Sequence, residues 1–233
     1  MKANSQSGNV LFYILIAVAL LASLMFAVSQ SGRGSAKALS EDRARLLASE
    51  IIEYSNVISA AVTQLSLRGV TAEQLCFNHA NWGANDYDHA GCTDDFNQLY
   101  SLNGAGVTWS EAPEDAMDST ASPDNLWHFY GDNEIESIGT TNNDATSTDI
   151  MLITNELAES VCRQINKLLG INETSDPIPT DTEIGETRYI GAFTYSQTIG
   201  DEAGSALLSG KTSGCFENTT DSSYTFYKVL LAR

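Results

Sequence analysis

The chain has 233 residues, of which 42% are hydrophobic, and it carries 30 acidic against 12 basic side chains. That length and hydrophobic share suffice for a domain with its own core, which excludes a wholly disordered chain. Six basic and four acidic residues lie in residues 1–69, whereas residues 70–233 contain six basic and 26 acidic ones. Such an acidic surface repels phosphate backbones, so we expect no nucleic-acid partner.

The first predicted element is the apolar segment Val10–Val28, which contains no charged residue. As an α-helix it spans ~28 Å, close to the ~30 Å hydrocarbon core of a bilayer. A helix inside a water-soluble core would normally keep a polar face, and this segment has none. Because the segment is also longer than the apolar part of a usual signal peptide, we predict a retained transmembrane helix over residues 9–29, in contact with membrane lipid.

A second helical segment is predicted over residues 30–69. Gly32 and Gly34 are a weak point near its start, because glycine in a helix interior costs ~1 kcal/mol. Further on, apolar residues recur at steps of three and four, which is typical of an amphipathic helix. Arg68 and Gly69 suit its end, as a cation in the last turn followed by a glycine cap. The apolar stripe consists of Leu47, Ile51, Tyr54, Ile58, Val62 and Leu65.

Residues 70–233 are predicted to form an acidic α+β domain. Short runs of β-branched and aromatic residues indicate its strands, and clusters of Asn, Asp and Gly indicate its loops. The predicted strands are 126–130, paired as a hairpin with 134–138; 149–153; and 187–198, paired with 224–231. A helix follows the 149–153 strand directly, with Asn155 as its N-cap and Gly170 after its end. Its apolar stripe is Leu157, Val161, Ile165 and Leu168.

Four cysteines, Cys76, Cys92, Cys162 and Cys215, occur without the CxxC spacing of a metal site. An even number of this kind favours two disulfides in an oxidising compartment, although counting alone leaves three connectivities open. The basic residues that follow the apolar segment would by themselves place the domain in the cytoplasm. We follow the cysteines and predict an inner-membrane, single-pass protein whose C-terminal domain is extracytoplasmic.

The sequence contains none of the short catalytic motifs HExxH, GxSxG or the P-loop. We therefore predict no enzymatic activity, no catalytic residue and no cofactor. Three histidines, His79, His89 and His128, could bind a metal together with nearby aspartates. Asp86-x-Asp88 is similar to part of a calcium loop, but the glycine turn and final glutamate of an EF-hand are missing, and we predict no metal.

Three features together resemble the type IV pilins and pseudopilins. A short polar leader, Met1–Gly8, directly precedes the apolar run, as in the class III leaders of that family. The long helix, apolar first and amphipathic second, is the next feature. The third is the strand-helix unit IMLITNELAESVC with a later cysteine before the last strand, similar to the C-terminal disulfide loop of type IVb pilins.

The resemblance implies a fold, a processing site and partners. A prepilin peptidase would cut after Gly8, leaving Asn9 as a new and methylated N-terminus. Cys162 and Cys215 would form the family's C-terminal disulfide, and the predicted pairing is Cys76–Cys92 and Cys162–Cys215. The implied fold class is α+β, with a long N-terminal helix, half in the membrane and half amphipathic, carrying a small antiparallel sheet domain. The implied partners are other pilin-like subunits.

One position departs from the family in an informative way. Its members usually have a glutamate five residues after the cut, which pairs with a neighbour's N-terminal amine, and here that position is Tyr13. Asn9 also replaces the usual phenylalanine, and the leader has one basic residue, Lys2, where several are common. The sequence thus predicts a minor, pilin-like structural subunit of a type IV pilus or type II secretion-like filament. The alternative is an uncleaved single-pass protein whose acidic ectodomain binds a ligand or partner.

Overall fold

The computed structural model describes residues 7–82, 86–119, 125–182 and 184–233. Helix α1 has the bounds Ser7–Leu67, and its side chains are described for residues 12–18, 20–21 and from 40 onward. The chain divides into two compact units, Met1–Arg43 and Ala44–Arg233, which are described separately below. The second unit contains the end of α1, a mixed sheet and a second helix.

In the second unit, α1 buries one face. Its residues at steps of three and four form a continuous stripe inside the main hydrophobic core, as the sequence pattern predicts. Two residues of the predicted stripe, Leu47 and Tyr54, lie at its edge and are only partly buried. The helix ends before Gly69, whose φ of 94° lets the chain turn so that the Val70 amide donates to the Leu65 carbonyl at 3.1 Å.

The second unit contains six strands: β1 (His128–Ile135), β2 (Asp149–Thr154), β3 (Thr180–Asp181), β4 (Gln197–Ile199), β5 (Ser213–Asn218) and β6 (Tyr224–Leu231). They form one mixed sheet in the order β3-β5-β6-β2-β1-β4. Three neighbouring pairs are antiparallel, β1 with β2, β2 with β6 and β5 with β6, whereas β1–β4 and β3–β5 are parallel. The two shortest strands, β3 and β4, are at the edges.

Each face of the sheet belongs to a different hydrophobic cluster. Strand β2 alternates between them, since Leu152 lies in the cluster that contains the α1 stripe and Ile153 lies in a second, smaller cluster. We call the first side the front and the second the back. The back is covered by the long connection between α2 (Glu159–Leu168) and β5, which contributes Ile184 and Leu208. Burial on both faces explains why β2 is almost continuously apolar.

Helix α2, Glu159–Leu168, lies on the front and follows β2 as predicted. Its N-cap is Ala158, so the predicted cap Asn155 is wrong by three residues. Asn155 instead accepts a hydrogen bond from the Thr225 hydroxyl at 3.2 Å. The predicted stripe is buried except at Leu168, which is partly exposed at the end of the helix.

The buried side chain of Asn166 joins α2 to the neighbouring strand. Its Nδ2 donates to the Cys215 carbonyl at 2.7 Å, and its Oδ1 accepts from the Cys215 amide at 2.9 Å. The Cys162–Cys215 disulfide lies one helical turn away and joins the same two elements. Helix α2 is thus held to β5 by one covalent bond and two hydrogen bonds at a single strand residue.

The predicted fold class is wrong. The sheet is a six-stranded mixed sheet with two parallel pairs, and it is neither small nor antiparallel throughout. In the part of the chain that the structure describes, no helix is long and apolar enough to cross a membrane. The fold expected from the resemblance was a long helix, half in the membrane, that carries a small antiparallel sheet. This expectation is wrong.

The predicted strand pairs also need correction. Residues 134 and 135 are the end of β1, so they form no hairpin partner for its beginning. Within 187–198 only the last residues are in a strand, β4, and it pairs with β1. Strand β6 was expected to pair with that segment, but it lies between β5 and β2. These errors share one cause, because the sequence shows where β-prone runs lie and long-range packing decides their partners.

Replacing Asn166 by alanine is expected to destabilise the second unit by about 2–6 kcal/mol. Both backbone groups of Cys215 would then be buried without their partner, and each such loss costs ~1–3 kcal/mol. Asn172→Ala is the matched control, because Asn172 makes one exposed hydrogen bond, to the Pro177 carbonyl at 2.8 Å. Urea unfolding of both variants measures the difference, and equal losses would contradict this role of Asn166.

Candidate interaction site

In the first unit, α1 exposes large apolar side chains. Eight of them are between 41% and 65% exposed. Five are consecutive, and because an α-helix has 3.6 residues per turn, consecutive exposed residues leave no side of the helix covered. An exposed apolar surface of this extent marks a place where other molecules bind. The eight residues, which we call the apolar segment, are Phe12, Tyr13, Ile14, Leu15, Ile16, Val18, Leu20 and Leu21.

Tyr13 belongs to the apolar segment and is 63% exposed. Its ring contacts that of Phe12 edge to face, with 6.3 Å between ring centroids. The position expected to hold a pilin glutamate thus carries an exposed aromatic ring. Gly8 and Asn9 are both part of α1, and leader residues 1–6 lie outside the described residues. Cleavage after Gly8 stays a prediction.

In the second unit, an apolar groove runs between α1 and the end of α2. It has a volume of about 530 Å³, and its lining includes Ile52, Glu53, Val57 and Leu169. Val57 lies outside the buried stripe of α1 and is exposed. The sequence pattern did not predict this apolar groove.

Both predicted disulfides are present in the structure. Cys76 is bonded to Cys92, with 5.1 Å between their Cα atoms, and Cys162 to Cys215, with 5.5 Å. These separations are usual for disulfides. The first bond closes the loop 76–92, whose last residues belong to the 3₁₀ helix Ala90–Thr93, and the second joins α2 to β5 on the front of the sheet. The predicted pairing is therefore confirmed.

The structure gives the three histidines separate surroundings. His79 stacks on Trp109, with 4.6 Å between ring centroids, and burial lowers its pKa. His128 stacks on Tyr130 at 5.7 Å.

His89 lies beside the Cys76–Cys92 disulfide. It bonds the Leu75 carbonyl through Nε2 at 3.0 Å and accepts from the Gly91 amide through Nδ1 at 3.1 Å. These three residues are close enough to share an ion, but the disulfide occupies both sulfur atoms.

A polar cleft of about 430 Å³ opens beside β1 and the β5–β6 turn. Its lining includes the acidic residues Glu156, Glu186 and Asp221 and the basic residue Arg188. Arg188 is already paired with Asp86, because its Nη1 lies 2.5 Å from Asp86 Oδ1. The volume falls in the range of small-molecule sites. No sequence motif marked these residues, since they come from three segments that only the fold brings together.

Comparison of the chain with protein-family models, with curated proteins and with solved structures finds no match.

Removing either disulfide is expected to destabilise the second unit, and the loss should be larger for the longer loop. The sequence separations are 53 and 16, for which the loop-entropy relation gives about 4 and about 3 kcal/mol. The comparison uses the double variants Cys162→Ala/Cys215→Ala and Cys76→Ala/Cys92→Ala in thermal unfolding. A wild-type protein with titratable thiols after denaturation, or variants of unchanged stability, would contradict the expected pairing.

Proposed function

We propose that this protein is a non-enzymatic structural subunit that assembles with pilin-like subunits through the apolar segment of α1. The observation that carries the proposal is the exposure of eight large apolar side chains around that helix. Full burial of such a side chain is worth ~1.5–3 kcal/mol, so covering half of each contributes roughly 1 kcal/mol per residue. Eight residues together then supply roughly 8 kcal/mol, enough to drive association.

The circumferential exposure favours a bundle of helices over one flat partner surface. A flat surface contacts one side of a helix, whereas neighbouring helices or lipid chains can surround it. We infer that acyl chains cover the segment before assembly and equivalent helices cover it afterwards. The subunit is thus proposed to start in the inner membrane. Prepilin peptidase would release the leader after Gly8.

The two disulfides support an extracytoplasmic location for the second unit. Both join buried parts of that unit, and such bonds persist in oxidising compartments. The net negative charge of residues 70–233 favours solubility of the domain. The proposed subunit therefore places its acidic domain on the outside and its apolar segment in the assembly.

A minor position is proposed because of Tyr13. A subunit with a carboxylate there gains register by neutralising a neighbour's N-terminal amine, and an uncompensated buried charge costs several kcal/mol. The exposed tyrosine ring offers packing but no negative charge. The chain is therefore proposed to occupy an initiating or tip position beside subunits that have the carboxylate.

The polar cleft favours a second candidate function, that of a single-pass protein whose ectodomain binds a ligand. Its three acidic side chains outnumber the single arginine, which fits a cationic ligand. The mature N-terminus separates the two candidates. Mass spectrometry that finds Asn9 as the first residue, methylated or not, supports the assembly subunit, and an intact Met1 or Lys2 supports the anchored binding protein.

Charges placed in the apolar segment are expected to abolish assembly and membrane association. Leu15→Arg combined with Val18→Arg puts two cations where lipid or helices should lie, at ~2.5–3.5 kcal/mol each. Leu102→Arg is the matched control, because Leu102 is 94% exposed and lies in a loop of the second unit. Alkaline extraction of membranes, and co-purification with candidate subunits, measure the effect. If the double variant pellets and co-purifies as the wild type does, the proposal is wrong.

Expression of the wild-type chain as the sole pilin-like subunit is expected to give no long filaments, since Tyr13 offers no partner for a neighbour's amine. Tyr13→Glu supplies the carboxylate and is expected to permit homopolymers. Tyr13→Gln, which has a similar shape without the charge, is the control and should behave as the wild type. Electron microscopy of sheared material reads the outcome, and abundant wild-type filaments would contradict the minor position.

A further inference from the structure

The Cys76–Cys92 disulfide differs from the Cys162–Cys215 disulfide because a histidine lies beside it. Cys76, Cys92 and His89 each offer one ligand atom, and these three atoms lie within 4.8 Å of one another. Ligand atoms that are ~2.0–2.3 Å from a tetrahedral ion lie roughly 3.5 Å apart, so movements of about 1–2 Å would let all three bind one ion. No comparable group surrounds Cys162 and Cys215 in the part of the chain that the structure describes.

Two hydrogen bonds decide which ring nitrogen of His89 can be a ligand. Nε2 bonds the Leu75 carbonyl at 3.0 Å, and Nδ1 bonds the Gly91 amide at 3.1 Å. A carbonyl only accepts and an amide only donates, so Nε2 carries the proton and Nδ1 has the lone pair. Histidines that bind metals usually donate their other ring N–H to a backbone carbonyl or a carboxylate in this way. An ion bound at Nδ1 would take the place of the Gly91 amide.

The ring of His89 is confined by its neighbours. A Cβ atom on Gly91 would lie 2.6 Å from ring Cε1, and one on Gly191 would lie 2.7 Å from Nδ1. The ring also meets that of Tyr189 edge to face, with 6.1 Å between ring centroids. Because neither glycine has a Cβ, their backbones approach the ring closely, and packing of this kind restricts its rotation. His89 is only partly buried, so an ion from solvent can reach it.

Hydrogen bonds position both cysteines independently of the S–S bond. The Cys76 amide donates to the Asn97 carbonyl at 3.1 Å, and the Cys76 carbonyl accepts from the Leu99 amide at 2.9 Å. The Gln98 side chain donates from Nε2 to the Cys92 carbonyl at 2.7 Å. Three consecutive residues therefore hold both cysteine backbones, whose Cα atoms are 5.1 Å apart. Opening the disulfide would leave two thiols close to one histidine.

Two thiolates and one imidazole form a ligand set that suits Zn²⁺. Zinc is bound by such Cys₂His sets with a water molecule in the fourth position. No further His, Cys, Asp or Glu among the described residues joins the group, which leaves the fourth position to solvent. Hard cations such as Ca²⁺ need oxygen ligands and do not fit this set. The thiolate is the form of cysteine that binds metals, so the redox state of the disulfide controls the site.

We propose that Cys76, Cys92 and His89 form a zinc site that is available only when the Cys76–Cys92 disulfide is reduced. A dithiol reductant gives two electrons to the S–S bond and becomes a disulfide itself, and its two protons pass to the cysteine sulfur atoms. Zn²⁺ then displaces these protons and binds both thiolates and Nδ1 of His89. In the reverse direction, a disulfide oxidant takes two electrons from the thiolates and two protons from solvent, the S–S bond forms again, and Zn²⁺ is released.

The site keeps the loop 76–92 closed in both redox states. The covalent bond closes the loop in the oxidised protein, and two Zn–S bonds close it in a chain whose thiols are still reduced. None of the three residues belongs to the apolar segment, so the zinc site and the proposed assembly are independent.

The first test measures zinc binding to the full-length chain in detergent. A phosphine reduces the disulfide, taking an oxygen atom from water to become the phosphine oxide, and competition with a chromophoric chelator gives the stoichiometry and affinity. We expect one Zn²⁺ per reduced chain and none per oxidised chain. His89→Gln should weaken binding at least ~10-fold, since losing even an outer partner of a ligand costs that much. His79→Gln is the control, because His79 lies outside the group, and it should bind as the wild type does.

Paired cysteine variants show which thiols bind the ion. After reduction, Cys76→Ala/Cys92→Ala should bind no zinc, whereas Cys162→Ala/Cys215→Ala should still bind one ion. Substitution with Co²⁺ should give a thiolate charge-transfer band in the second variant and none in the first. Zinc binding that survives in Cys76→Ala/Cys92→Ala, or wild-type affinity in His89→Gln, overturns the site.

A second test uses only the wild type and does not depend on how any variant folds. Glutathione redox buffers at fixed free zinc set the equilibrium, and alkylation followed by peptide mapping reads the state of each cysteine pair. Each tenfold rise in free Zn²⁺ above the Kd should favour the reduced Cys76–Cys92 pair tenfold, which raises its reduction potential by ~30 mV. The Cys162–Cys215 pair should not respond to zinc. A Cys76–Cys92 potential that is independent of zinc, or a disulfide that opens only when the whole unit unfolds, overturns the proposal.

Discussion

The packing of the buried α1 stripe on the front of the sheet is the contact on which the second unit depends. The same hydrophobic cluster contains Ile51 and Ile58 of α1, Leu152 of β2 and Phe226 of β6. A sheet of this size with a bare apolar front would not be stable in water, and a helix with one apolar face has the same need. Each element therefore supplies the surface that the other must bury.

The two faces of the sheet are covered in different ways. On the front, helices pack on strands, and α2 is further held by the disulfide and the Asn166 hydrogen bonds at Cys215. On the back, the connection between α2 and β5 covers the sheet largely without regular structure, and buried acids such as Asp132 accept its backbone amides. A loop layer cannot satisfy its own amides as a helix does, so side-chain acceptors take that part. This explains why buried aspartates are frequent there.

The distribution of polarity suits a subunit with two different environments. The apolar segment lies wholly in the first unit, whereas the excess of negative charge lies in residues 70–233. The proposed assembly through such a segment needs no catalytic group and no bound ligand. Charge repulsion between acidic domains would favour spacing them apart, so attraction has to come from apolar surface. The groove beside Val57 offers additional apolar surface in the second unit.

Several features of the molecule follow from local sequence. Residue spacing marks the α1 stripe, and it also marks the strand Asp149–Thr154 with α2 after it. A glycine, Gly69, marks the end of α1. Such features depend on neighbours within a few residues, and side-chain periodicity reports them directly. The disulfide pairing agrees with the structure as well, but it came from a resemblance and a loop-rich segment between Cys76 and Cys92, since counting left three choices.

Other features needed the tertiary structure. Strand order places β6 between β5 and β2 and sets β4 beside β1, and no local pattern encodes such partners. The fold class inferred from the resemblance was wrong for this reason. The polar cleft likewise joins residues far apart in sequence. The sequence by itself determined which residues are apolar, where the chain turns, and which cysteines are available to form disulfides. Only the tertiary structure decided which residues come into contact. The free energy of burial depends on contacts between segments distant in sequence, and many combinations of such contacts are compatible with one sequence.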